Sequence, residues 1–200
     1  MILRSAPASP FGRKVKIAAA LLELGATLRS VDADTTDAAD SLRRENPLGK
    51  IPTLVLDDGT TLYDSRVIVE YLDHLAGGHR LLPAEPAHRF RTLTLQALAD
   101  GFTDAALLMV YEQRWRAEAN RDARWTAHQG DKIERALGAL EAAPPNGDID
   151  IGHVALACGL GYLDLRFDGT WRATHPRLVT WLEAFAAAVP AFAATAFKPS

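Results

Sequence analysis

Three short stretches of this sequence put polar side chains where backbone geometry can make them reactive. Ser9-Pro10-Phe11-Gly12-Arg13-Lys14-Val15 opens with a serine and a proline, residue types favoured at a helix N-cap and at the first helical position. A hydroxyl placed there sits beside unpaired backbone N–H groups at the positive end of a helix dipole, which suits an anion. Arg13 and Lys14 fall in the same first turn, where cations are disfavoured unless an anionic ligand lies nearby. The alternative is that Ser9 only caps the helix and both cations extend into solvent. The second stretch is Asn46-Pro47-Leu48-Gly49-Lys50-Ile51-Pro52. A cis Ile51–Pro52 bond would turn the chain sharply into a strand at Thr53 and leave the N–H and C=O of Ile51 to pair with an extended, peptide-like ligand. Lys50 then takes a carboxylate, or is the solvated lysine of a plain turn. The third is Asp64-Ser65, where Ser65 is an N-cap candidate whose N–H and hydroxyl could hold a carboxylate while Asp64 answers an ammonium. An amino-acid head group carries both charges on one carbon. Plain helix capping is the competing account.

The elements that must position these groups follow from periodicity and turn chemistry. Met1 to Arg4 is a short apolar run. Phe11 to Leu24 predicts a helix with Phe11, Val15, Ala18 and Leu22 inward and Gly25 as its C-cap. Thr27 to Val31 leans to strand, and the polar stretch from Asp32 to Asn46 holds a loop and a weak helix. Thr53–Leu56 and Thr60–Tyr63 flank Asp57-Asp58-Gly59, a hairpin signal. A helix then starts at Ser65, with Val67, Ile68, Tyr71, Leu72 and Leu75 on one face. The order βαβαββα predicts an α/β layer over residues 1–76. Gly77 to Pro86 reads as a linker, and residues 87–200 read as all-helical, with segments near Ala87–Ala117, Ala123–Ala142, Ile151–Phe167 and Pro176–Val189.

Composition narrows the function classes. The 200 residues carry a formal net charge of −3, with 48% hydrophobic and 24% charged residues, as in an ordinary globular chain. Neither half holds the one-sided charge of a nucleic-acid surface. No uninterrupted apolar run approaches the roughly 18 residues of a membrane span. Met-Ile-Leu-Arg-Ser at the start does not read as a secretory signal, so a cytoplasmic location is expected. The single cysteine, Cys158, excludes an internal disulfide, a CxxC pair and a cysteine zinc cluster, and it reads as a buried helix residue. The six histidines show no HxH or HExxH spacing, so no metal is expected.

Taken together, Ser-Pro-Phe-x-Arg-Lys-Val, Asn-Pro-Leu-Gly-Lys-Ile-Pro and Asp-Ser, in this order, resemble the glutathione-binding domain of glutathione S-transferases. Leu81-Leu82-Pro83-Ala84-Glu85-Pro86 is similar to that family's interdomain linker. His175-Pro176-Arg177-Leu178, Trp181 and Pro190-Ala191-Phe192 are similar to its C-terminal helices. The resemblance spans essentially the whole chain and is nearest to bacterial serine-type members. It implies a thioredoxin-like N-terminal domain, an all-α C-terminal domain, glutathione as cosubstrate, no metal, and a homodimer with no nucleic-acid or membrane partner.

By the same resemblance, Ser9 takes the catalytic place, donating a hydrogen bond to the glutathione sulfur. Phe11, Lys50, Ile51, Pro52, Asp64 and Ser65 fall in the glutathione-binding segments. Lys50 would meet the glycine carboxylate, Ile51 the cysteinyl backbone, and Asp64 with Ser65 the γ-glutamyl group. Asp100 is matched to a residue reaching the γ-glutamyl amine across the dimer. Met109, Glu112 and Trp115 fall where the family lines its second-substrate pocket, with Tyr111 beside them; ordinary core or dimer packing is the other reading for each. Three departures stand out. Position 9 is neither tyrosine nor cysteine, Asp64 replaces a longer Glu or Gln, and His153 stands where the sixth helix usually has Asp, leaving Asp150 as its N-cap. The activity implied is attack of the thiolate on an apolar electrophile or hydroperoxide. The alternatives are a non-catalytic binding or regulatory relative of the stringent-starvation kind, and a thiol-disulfide oxidoreductase, which Ser9 and the lone Cys158 disfavour.

Overall fold

A computed structural model of the chain describes residues 1–197, in two compact units. The first comprises residues 1–92 together with the segment from residue 189 onward, and the second residues 93–188. The sequence reading assigned that last segment to the helical half; its short final helix packs on the first helix instead.

In the first unit, β1 (Ile2–Ser5), α1 (Pro10–Leu21), β2 (Arg29–Asp32), α2 (Leu42–Glu45), β3 (Thr53–Val55), β4 (Thr61–Leu62) and α3 (Ser65–Leu75) follow the expected βαβαββα order. The sheet runs β2-β1-β3-β4, with β1 parallel to β2 and antiparallel to β3, and β3 antiparallel to β4. Leu3 and Leu54 of the sheet meet Val15, Ile17 and Ala18 of α1 and Ile68, Val69 and Leu72 of α3 in a core with no exposure at any of these eight positions. Two inward assignments change. Phe11 is only half-buried, while Lys14 and Ile17 join the inward side of α1. On α3 the buried stripe is Ser65, Ile68, Val69 and Leu72, which turns Val67 and Leu75 outward.

The end of α1 also differs from expectation. Leu24 N–H donates to the Ala19 carbonyl and Glu23 N–H to the Ala20 carbonyl, a Schellman pairing with Glu23 in the left-handed conformation at φ 63°. Gly25 is therefore not the cap and opens a short turn of 3₁₀ helix instead. The segment after α3 is ordered by Asp73, whose buried carboxylate accepts from the N–H groups of His79, Arg80 and Leu81 at 2.8, 3.1 and 2.7 Å. Arg80 in turn donates to the carbonyls of Leu21 and Leu22.

The second unit holds most of α4 (Pro86–Trp115), then α5 (Ala123–Ala142), α6 (Ile151–Arg166) and α7 (Pro176–Ala188). α8 (Pro190–Ala194) returns to the first unit. One 18-residue window of α4 is apolar enough to match a membrane span, as core helices can be. Its Ala99, Phe102, Ala105 and Ala106 are buried. α6 is buried nearly all round, as a central helix must be. It approaches α4 so closely that a Cβ at Gly159 would stand 2.6 Å from Phe102 and Thr103. Asp150 caps α6: its Oδ1 accepts from His153 N–H at 3.1 Å and its own N–H donates to His153 Nδ1 at 3.4 Å, so Asp-Ile-Gly-His forms a capping box with histidine in the third place.

Candidate functional site

The sheet register brings the three chemical stretches of the first unit to one edge. Arg4 pairs with Thr53 and Leu54 with Leu62, so the chain leaving β1, the chain entering β3 and the chain leaving β4 share one end of the sheet. Ser9 follows the first, Ile51-Pro52 precede the second, and Asp64-Ser65 follow the third. Two strand spacings of about 4.8 Å separate the β1 end from the β4 end, roughly the length of an extended tripeptide.

Ser9 is the N-cap of α1, and its Oγ accepts from Gly12 N–H at 3.1 Å. That bond uses a lone pair and leaves the hydroxyl proton to donate. Gly12 is required by space: a Cβ there would lie 1.9 Å from the Oγ of Ser5, which is fully buried under the first turn. Ser5 is accordingly a packing residue, with its hydroxyl turned to the Ala6 carbonyl.

The two cations do not simply extend into solvent. The Arg13 guanidinium lies 4.0 Å from the Phe192 ring and donates to the Phe192 carbonyl at 2.6 Å and to Thr195 Oγ1 at 3.3 Å, fastening α8 to α1. Lys14 is 1% exposed, its Nζ 5.7 Å from the Phe11 ring centroid. Lys14 is enclosed by the fold, and Arg13 is half-buried against α8.

The second stretch is built as expected, with Ile51–Pro52 cis. Its organiser is Asn46, buried and overlooked in the sequence as a working residue. Asn46 Nδ2 donates to the Lys50 carbonyl at 2.9 Å and to Thr53 Oγ1 at 3.2 Å, its Oδ1 accepts from Leu48 N–H, and Thr53 Oγ1 donates to the same Lys50 carbonyl. None of these bonds uses the backbone of Ile51, and the Lys50 side chain is exposed. The Asn-Pro pair was the available signal, because asparagine side chains fold back on the following turn. Behind this segment, Arg4 of β1 reaches Asp40 at 2.6 Å, Ser41 Oγ at 2.8 Å and Glu45 at 3.3 Å, anchoring the loop that carries α2.

At the third stretch the cap is not Ser65. Asp64 is the N-cap of α3, its Oδ1 accepting from Arg66 N–H at 2.9 Å, and Ser65 is the first helical residue, 3% exposed. The Tyr63–Asp64 peptide is also cis. Asp64 itself is exposed, with carboxylate lone pairs left for a cation.

The remaining predicted residues lie in the second unit. Asp100 is buried on α4. Met109 is half-buried and Trp115, the last residue of α4, is 62% exposed. The Glu112 carboxylate is committed elsewhere: one oxygen accepts from Asp122 N–H at 2.9 Å and the other meets Arg116 at 3.0 Å, tying the end of α4 to the start of α5. Cys158 is buried in α6. Among the described residues no three His, Cys, Asp or Glu side chains cluster as a metal site.

Comparison with known proteins settles the family. Residues 3–80 match the model of the glutathione S-transferase N-terminal domain, and residues 113–184 that of its C-terminal domain. The chain belongs to the glutathione S-transferase family. It is 35% identical over 181 residues to the uncharacterized GST-like protein YibF of Escherichia coli K12, covering 88% of each chain. A crystal structure of a glutathione transferase family member from Pseudomonas fluorescens Pf-5 with bound glutathione superposes with a TM-score of 0.93 at 41% identity over 99% of both chains. A second structure from that organism, with bound S-(propanoic acid)-glutathione, gives 0.89 at 40% identity over the whole of both chains. The βαβαββα unit and helical unit of this family member are thus a glutathione S-transferase fold, with a thioredoxin-like first domain.

Proposed function

We propose that this chain is a serine-type glutathione transferase in which Ser9 holds the glutathione sulfur as thiolate. The observation that carries the reading is the Ser9 cap: its oxygen accepts from Gly12 N–H, so the hydroxyl proton is available to an anion at the N-terminus of α1. A free thiol with a pKa near 8.5 is about 3% ionised at neutral pH. A hydrogen bond to a charged acceptor contributes roughly 1.5–3 kcal/mol, enough to lower that pKa by about one to two. About a quarter or more of the bound thiol is then ionised at pH 7, and the serine never loses its proton.

The tripeptide lies along the sheet end, its cysteinyl backbone on Ile51 beside cis-Pro52, its glycine carboxylate toward Lys50, and its γ-glutamyl group on Asp64 and Ser65. Phe11 flanks the sulfur end. The thiolate attacks an electrophilic carbon, forming C–S as the leaving group departs with its electron pair. Alternatively it attacks a peroxide oxygen, forming S–O as the O–O bond breaks and the alkoxide leaves to be protonated; a second glutathione thiol then attacks the sulfenic sulfur, forming the disulfide as water leaves. Relatives with bound glutathione and a bound glutathione S-conjugate support this assignment. Met109 and Trp115 belong to the second-substrate region in this reading. The active form is a cytoplasmic homodimer of about twice the 21.7 kDa chain, with Asp100 acting across it. Val67 and Leu75 of α3 and Phe90 of α4 are exposed apolar residues available to a second copy.

The deciding experiment is an ultraviolet titration of bound glutathione against pH. The parent protein is expected to show thiolate absorbance at lower pH than free glutathione, and Ser9→Ala to move it back toward the free value. Identical curves for the two proteins would remove Ser9 from the chemistry.

A further inference from the structure

Two tyrosines and two arginines gather in the second unit, among them Tyr111, which the family resemblance sets beside the second-substrate pocket. Tyr111 and Arg114 stand on the last turns of α4, with the guanidinium 5.7 Å from the ring centroid, and Tyr162 and Arg166 stand near the end of α6 at 5.6 Å. The pairs belong to one cluster: Tyr111, Arg114 and Arg166 all act electrostatically on the Tyr162 phenol. Burial is the largest influence on that phenol and pushes its pKa up, so it remains a neutral O–H donor.

The cluster carries positive charge that the chain does not neutralise. Among the described residues neither Arg114 nor Arg166 has a carboxylate partner, and Nε of Arg166 is buried without a hydrogen bond. Two of the acidic residues near in sequence are engaged elsewhere, while Asp168, just past α6, is exposed. Glu112 holds Asp122 N–H and Arg116, and Asp164 holds Arg172 at 2.6 Å and the Trp171 indole at 2.9 Å. The buried Arg166 Nε is a costly donor to leave unsatisfied, and an anion would complete it with the exposed Arg114 guanidinium of the same cluster to share the charge. Planar guanidinium forks match a carboxylate, and the flanking rings match an aromatic body.

We propose that Tyr111, Arg114, Tyr162 and Arg166 form a binding site for an aromatic carboxylate. Resting on the transferase reading, the electrophile is then an aryl compound carrying an acid group.

The test is titration of the full chain, without glutathione, by chloronitrobenzoate and by the matching uncharged chloronitrobenzamide, followed by calorimetry. The benzoate is expected to bind about tenfold or more tightly than the amide. Arg114→Gln and Arg166→Gln should each remove most of that preference, and Arg166→Lys should retain part of it. Glutathione affinity and melting temperature should be unchanged in Arg114→Gln, whose side chain is exposed and which therefore serves if Arg166→Gln folds poorly. Equal binding of acid and amide, or a preference that survives Arg114→Gln and Arg166→Gln alike, overturns the proposal. Conjugation assays separate the two readings. Benzoate binding with no conjugation of either compound leaves the carboxylate site standing and removes the transferase reading. Conjugation of both at equal KM does the reverse.

Discussion

The N-termini of α1 and α3 lie at the same end of the same sheet and are capped by different chemistry. Ser9 caps α1 with a hydroxyl that accepts from Gly12 N–H and still holds a proton. Asp64 caps α3 with a carboxylate that accepts from Arg66 N–H and can only accept. Both satisfy an orphan backbone donor equally well, so helix stability does not distinguish them. Their remaining valence does. A hydroxyl cap can donate to a sulfur anion, whereas a carboxylate cap repels an anion and attracts an ammonium. One structural device, used twice, thus gives a site with a reactive end and a recognition end.

Removing the donor at the reactive end should have the largest effect. Ser9→Ala is expected to lower kcat/KM about tenfold to 150-fold, the equivalent of roughly 1.5–3 kcal/mol. It also costs about 1 kcal/mol of stability through the lost cap, so melting temperature must be followed alongside steady-state kinetics. Gly12→Ala attacks the same end through space alone. Its Cβ would collide with Ser5, and denaturant titration should show a loss of about 1–3 kcal/mol.

At the recognition end, Asp64→Asn keeps a good cap and removes the charge. Calorimetry should find glutathione binding weaker by roughly 1–3 kcal/mol, while kcat at saturating glutathione falls far less than in Ser9→Ala. A kcat loss equal to that of Ser9→Ala would erase the division of labour. Ser65→Ala sharpens the comparison further. Because Asp64 is the cap, the change should cost less stability than the roughly 1 kcal/mol of a lost N-cap, and about 1 kcal/mol of glutathione affinity.

Asp40, away from both caps, supplies a control in pH. Backbone N–H groups of Asp34 and Leu42, with Arg4, hold its carboxyl below the usual aspartate range. A depressed folded value means its stabilisation is complete above the ordinary aspartate pKa of about 3.9 and is lost as pH falls through the lower folded value. Acid unfolding should therefore be less steep in Asp40→Asn, with glutathione chemistry near neutral pH unchanged.

Much of this was legible in the sequence because the signals act over a few residues. Ser-Pro set the start of α1, Asp-Asp-Gly the hairpin, and Ile-Pro the bend before β3, each through the dihedral preferences of the residues themselves. Ser65 was misread because two adjacent residues could each cap a helix, and the backbone leaving β4 selects Asp64 in the extended conformation. Glu23 displaced Gly25 because the inward stripe of α1 ends at Leu22, whatever glycine follows.

Local spacing determined the helices, the strands, their order and the residue types at three loops. Tertiary structure alone decided what those side chains meet. Arg13 finds its partner 179 residues away at Phe192, Lys14 is enclosed rather than solvated, and Glu112 ties the end of α4 to the start of α5. The gathering of Ser9, Ile51 and Asp64 at one edge belongs to the register of β1, β3 and β4. Periodicity records which face of an element is apolar, but the partner across that face is fixed only when the strands pair and the helices close over them.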